Sequence, residues 1–190
     1  MGAEGHTVTL LSPQADIVWE VLERDGTAFS KRDYVRKKYE ESAKIFIAAY
    51  DSYVREASKI VPLPDGAEYP YWAFADKDAV DQGARVMTLE VPAEEAVFFD
   101  RFEWYRILQL GYLGKTQEET DAFAKELERR GIRNESDVIL TAFYPDLKKK
   151  VTDSWKNLFR FHEQIRAGDF ACVRSVQAGL WRIRREWLIN

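Results

Sequence analysis

Cysteine and histidine are nearly missing from this chain: its 190 residues include one Cys, Cys172, and two His, His6 and His162. A single cysteine excludes an internal disulfide and fits a reducing compartment. With so few soft ligands there is no Cys-Cys or His-x-x-x-His spacing for zinc and no His-Glu-x-x-His, so no metal site is expected. The sequence also lacks G-x-G-x-x-G, G-x-x-x-x-G-K-[ST] and G-x-S-x-G, which sets aside the common phosphate loops and the nucleophile elbow. No apolar run approaches the roughly 18 residues needed to cross a bilayer, and the N-terminus has no basic-then-apolar signal pattern. A cytoplasmic chain with no membrane partner is expected.

What is present reads as one globular domain over residues 1–190. An apolar fraction of 46% with 14% aromatics is too rich for disorder and ample for a core. The net charge of -4 is unevenly spread: from Asp146 onward ten Lys or Arg face five Asp or Glu, so that segment is +5 and the remainder -9. A basic terminal third can meet phosphates or form a solvated sheet face.

Residues 6–11 (HTVTLL) read as a first strand, and Ser12 before Pro13 as a helix start. That helix carries Ile17, Val18, Val21 and Leu22 on one stripe and stops at Gly26. Ser30 in SKRD reads as the cap of a long helix, about 33–60, with Val35, Tyr39, Phe46, Tyr50, Tyr53, Val54 and Ala57 at three- and four-residue steps. VPLPDGAEYP is a loop, YWAF (71–74) a short strand, and RVMTLEV (85–91) a strand closed by Pro92. Residues 96–99 form another strand, and Asp100 starts an aromatic helix ending near Gly111. Thr116 to Glu119 is a Thr-x-x-Glu capping box, residues 134–143 a short helix, and Asp146 the cap of a further one. The long helix about 33–60 and the helices about 116–145 read as insertions in one α+β domain: a split mixed or antiparallel sheet with surrounding helices.

The last strand holds the candidate site. In CVRSVQAGLWRI, Val176, Ala178 and Leu180 share one parity and Ser175, Gln177 and Gly179 the other. After Gly179 the pattern inverts, which reads as a bulge or bend at that glycine. Gln177 is then either an ordinary solvent-facing residue or the floor of a cleft. Other candidates have plainer readings. The tyrosines of the long helix pack, Cys172 is a small apolar residue, and Glu94 and Glu95 are solvated. His162 reads as a satisfied helix histidine near a C-terminal dipole.

Four segments together carry a resemblance: Ser12-Pro13-Gln14 with Trp19 and Gly26; YPYWAF; MTLEVPAEEAVFFDRFEWYRILQLGYL (87–113); and SWKNLF (154–159) followed by VQAGLW (176–181). Their order resembles an uncharacterised bacterial family of domains of unknown function. That family's layout is similar to the ADP-ribosyltransferase-like fold, which implies a split sheet gripping NAD. The resemblance implies that Ser12 and Gln14 hold the adenosine ribose, that Tyr71 or Trp72 packs on nicotinamide, and that Ser154 and Trp155 support the cleft. Gln177 stands where the fold carries an acidic residue that grips the nicotinamide ribose. An amide accepts a hydrogen bond there but supplies no negative charge. The implied activity is transfer of ADP-ribose from NAD to a macromolecular acceptor, protein or nucleic acid, of a toxin, defence or counter-defence type. The other reading is a non-catalytic nucleic-acid- or protein-binding module using Arg182, Arg184 and Arg185 with Trp181 and Trp187.

Overall fold

The computed structural model describes residues 5–40, 43–81, 83 and 85–189. Five strands form the main sheet: β1 (Thr7–Pro13), β3 (Tyr71–Phe74), β4 (Val86–Pro92), β5 (Ala96–Asp100) and β6 (Val176–Leu180), in the order β4-β1-β3-β6-β5. Every neighbouring pair is antiparallel. A second, two-stranded sheet pairs β2 (Thr27–Phe29) with β7 (Arg182–Arg184). With the helices around them this is an α+β fold.

Pairing is uneven across the sheet. β1 runs against β4 along its length, from Thr7↔Pro92 to Pro13↔Val86, and β6 pairs along its length with β5 and over four residues with β3. Between β1 and β3, among the described residues, one pair joins the two halves, Leu11↔Phe74. The sheet is therefore split at that seam.

Alternation along each strand feeds two cores. Val8, Leu10, Tyr71, Ala73, Met87, Leu89, Phe98, Val176, Ala178 and Leu180 pack on one side. α1 (Asp16–Asp25) covers them with Val18, Trp19 and Leu22, and α8 (His162–Arg166) with Ile165. Val97 and Phe99 enter the other core, with Trp72 against it. That side is built by α3 (Ala43–Ala57), α4 (Arg101–Leu108), α5 (Gln117–Arg129) and α7 (Pro145–Ser154), through Tyr50, Tyr53, Trp104, Phe123 and Val151. The single turn α6 (Asp137–Leu140) adds Val138.

Local signals set several boundaries as expected. The Asp100 side chain accepts from Phe102 N, and Thr116 Oγ1 accepts from Glu119 N while Glu119 Oε2 accepts from Lys115 N. Gly26, at φ +73°, closes α1.

Other expectations give way to tertiary demands. Ser12 caps no helix: β1 continues through Pro13, and α1 begins at Asp16 behind Ala15. The long helix is two helices, α2 (Arg32–Tyr39) and α3, with Glu40 at φ +43° closing the first. Glu41 and Ser42 lie outside the described residues, as do Met1–Glu4. Ser30 bridges to Tyr69 instead of capping α2, whose Arg32 N–H is taken by the Glu68 carboxylate at 2.8 Å. The helix expected over 134–143 is the single turn of α6, and Tyr144, not Asp146, precedes α7, with Pro145 at its first position.

Gly179 does not break its strand. β6 runs through it, and the bend falls at Trp181. Glycine is required because the Tyr53 hydroxyl lies over it: an added Cβ would sit 2.0 Å from that oxygen. Gly179→Ala is expected to cost about 2–3 kcal/mol through overpacking, read as a lower denaturation midpoint. Tyr53→Phe, which removes an unpartnered buried hydroxyl, should recover part of that loss. A Gly179→Ala protein as stable as the parent would contradict the packing.

Candidate functional site

The split between β1 and β3 is held by a side chain. Ser12 is fully buried (0% exposed), and its Oγ donates to the Trp72 carbonyl across the seam at 2.7 Å. The same oxygen accepts from Gln14 Nε2 at 2.8 Å, while Gln14 N donates to Arg85 O at 3.0 Å. Ser12 and Gln14, singled out from the sequence, are thus one hydrogen-bonded unit at the C-terminal end of β1. Beside them a groove of about 570 Å³ is lined by Pro13, Gln14, Ala15, Asp16 and Arg85, together with Asp81 and Gly83.

Gln177 lies two strands away. It pairs in register with Phe74 on one side and Phe99 on the other, and Phe74 in turn pairs with Leu11. Two interstrand spacings put Leu11 and Gln177 roughly 10 Å apart. The residue is 2% exposed, and its Oε1 has no hydrogen-bond partner. It does not face bulk water, because all five residues of β6 are buried. An orphaned acceptor in such a place costs about 1–3 kcal/mol, and buried polar groups are otherwise almost always paired.

The other sequence-chosen residues divide between the two faces. Tyr71 packs into the α1 side of the sheet, where burial pushes its phenol well above the usual range. Trp72 lies against the opposite core, half-buried, with Nε1 donating to Tyr50 Oη at 2.8 Å. Its ring meets Tyr53 and Phe99 edge-on. Trp72 and Gln177 therefore share a face and Tyr71 does not. Ser154 and Trp155 are spent elsewhere. Ser154 Oγ accepts from Leu113 N at 2.9 Å, and Trp155 Nε1 donates to Gly111 O at 2.9 Å, so both fasten the loop after α4. Trp155 also lines a groove of about 380 Å³ with Ile45, Leu110, Leu140 and Lys148, away from Gln177.

The arginines of the terminal strands are largely compensated. Arg182 forks onto Glu95 at 2.6 and 3.2 Å, and Arg184 reaches Glu186 at 3.1 Å. Arg185 is exposed and makes no ion pair among the described residues. Sequence reasoning missed Arg101, whose Nε is buried without an acceptor. An arginine directly after a helix-capping aspartate was the one available signal, since cations are disfavoured at helix N-termini.

His162 opens α8 instead of lying near a C-terminal dipole, and it is half satisfied. Its Nδ1 accepts from Phe98 N at 3.0 Å, so the ring proton sits on Nε2, which has no partner. Burial lowers its pKa below the ordinary 6.5, with nearby Glu163 opposing. No cluster of three or more metal-binding side chains occurs among the described residues, and no helix there is long and apolar enough to cross a membrane.

A family model described as a domain of unknown function, DUF3841, matches residues 9–189, nearly the whole chain. No curated protein and no solved structure matches it.

Two outcomes follow from these burials. Gln177→Leu removes the orphaned acceptor and should raise stability by about 1–2 kcal/mol, measured by urea denaturation; a loss of that size would mean the amide is satisfied. For His162 the folded pKa is depressed, so the unfolded chain takes up the proton first and stability falls as pH drops below about 6.5. His162→Gln, which keeps an acceptor for Phe98 N–H, should flatten the stability profile between about pH 7 and 5. An unchanged slope would place the linkage elsewhere.

Proposed function

The chain belongs to the DUF3841 family of domains of unknown function, and from that premise we infer that it is an ADP-ribosyltransferase-like protein that takes NAD as substrate. The observation that carries this reading is the split sheet, with a polar pair at the end of its first strand and an orphaned amide oxygen across the seam. The resemblance implies a dinucleotide gripped in such a split, and the groove at Gln14 gives it an open end. The distance from β1 to Gln177, roughly 10 Å by strand spacing, suits a ligand with two sugar rings.

The residues present fit that ligand. Gln177 Oε1 has a lone-pair demand that a ribose hydroxyl meets, and Gln14, anchored by the spent Ser12 hydroxyl, has the rest of its amide to offer beyond the end of β1. Half-buried Trp72, on the same face as Gln177, presents a ring for an aromatic base. Phe74, also half-buried, pairs with Leu11 on one side and Gln177 on the other, so it stands between the seam and the amide. When bound, NAD supplies a cleavable bond between nicotinamide and ribose. Nicotinamide leaves with the bonding electrons, and the acceptor's nucleophile takes the ribose carbon and loses its proton.

Gln177 holds the ribose hydroxyl without lending charge, so the acceptor must bring a good nucleophile or the turnover is slow. Gln177→Glu would supply the missing carboxylate. The second reading, a binding module on the terminal strands, is weakened by the ion pairs that already occupy Arg182 and Arg184.

Millimolar NAD should raise the melting temperature. Saturation at 100 times the dissociation constant contributes roughly 2.7 kcal/mol, or about 5–10 °C for a chain of this size. Gln14→Ala should reduce the shift. No shift in either the parent or Gln177→Glu would end the transferase reading.

A further inference from the structure

Arg101 is half-buried and has no counter-charge among the described residues. Arg101 is the first residue of α4, where the unpaired N–H groups and the helix dipole already gather positive charge, so an arginine there is unfavourable by itself. Its Nε is buried with no acceptor, and it forms no ion pair among the described residues. Its neighbours differ. Arg160 is locked onto Glu103, and Arg174 Nε lies 3.9 Å from Asp100.

Two rings accompany Arg101. Its guanidinium carbon is 5.0 Å from the Phe102 centroid and 5.6 Å from that of Tyr105, and the Arg174 guanidinium carbon is 4.3 Å from Phe102. Phe102 and Tyr105 stand nearly perpendicular, 6.4 Å apart, and remain 38% and 43% exposed. Asp100, the residue before Arg101, is buried, and its carboxylate is occupied by the backbone N–H groups of Phe102 and Arg174. It presents little negative charge to a ligand above the patch.

We propose that the surface formed by Arg101, Phe102, Tyr105 and Arg174 binds single-stranded nucleic acid. Guanidinium forks meet phosphate oxygens, while open aromatic rings and guanidinium planes stack on unpaired bases, a combination that tolerates any base sequence. A duplex hides the base faces this patch would stack on. The patch also sits at the end of the strand pair that carries Gln177: Phe99 pairs with Gln177, and one antiparallel step away, two residues after Phe99 and two before Gln177, Arg101 N donates to Ser175 O. A strand held here lies beside Gln177 and is placed to serve as acceptor. Binding itself needs no NAD, so this proposal stands or falls apart from the transferase reading.

The test is fluorescence anisotropy of labelled single-stranded DNA and RNA of mixed sequence, titrated with the full chain at low salt without NAD. The expected result is saturable binding weakened about tenfold by Tyr105→Ala. Arg101→Gln should weaken it comparably and lower the slope against log salt by about 0.7, the loss of one phosphate contact. Arg185→Gln, in the turn after β7 and outside this patch, should leave binding unchanged. Thermal melts of each variant separate misfolding from lost contact. The proposal is overturned by no binding at low salt, by duplex binding as tight as single strand, or by loss with Arg185→Gln but not Arg101→Gln.

Discussion

A buried amide oxygen without a hydrogen-bond partner, that of Gln177, is the constraint from which the rest of this molecule can be understood. β6 has neighbours on both edges and cores on both faces, and all five of its residues are buried, so each must be satisfied inside the protein. Val176, Ala178 and Leu180 meet that demand by packing, and Gly179 by yielding space to Tyr53. Gln177 does not. Retaining an orphaned acceptor in a core is a stability cost, of a kind that a bound water or ligand relieves.

The second constraint is the seam. Among the described residues one ladder pair, Leu11↔Phe74, joins the two halves of the sheet, so little ladder bonding holds them together there. Ser12 spans the gap with one hydroxyl, donating across it and accepting from Gln14. Seam, hydroxyl and orphaned amide lie within a few strand spacings, which is why the proposed ligand is one that inserts between strands.

The sequence made part of this legible. Asp100 and Thr116 declared their helix starts because a cap is a contact between residues two or three apart. The strand parity of Val176, Ala178 and Leu180 likewise needed only the alternation of side chains. What stayed hidden was set by distant partners. Ser12 looked like a cap because nothing local shows that its hydroxyl is spent on Trp72, sixty residues away. Gly179 looked like a strand break because nothing local places the Tyr53 hydroxyl over it. For Gln177 the alternation left solvent and cleft both open, and it is the aromatic layer from α3 and α4 that buries its side of the sheet. Arg101 differs again: its place directly after a capping aspartate is the one local hint, and its lack of a counter-charge emerges only from the fold.

The account turns on whether the Gln177 amide is the group a nucleotide engages. Side-chain amide signals in a nitrogen-15 NMR spectrum, with Gln177 assigned by its loss in Gln177→Leu, read this directly. Titration with NAD should move the Gln177 pair together with that of Gln14, in step and to saturation. If NAD leaves the Gln177 signals in place while others shift, the buried amide is a structural oddity and the central claim is wrong.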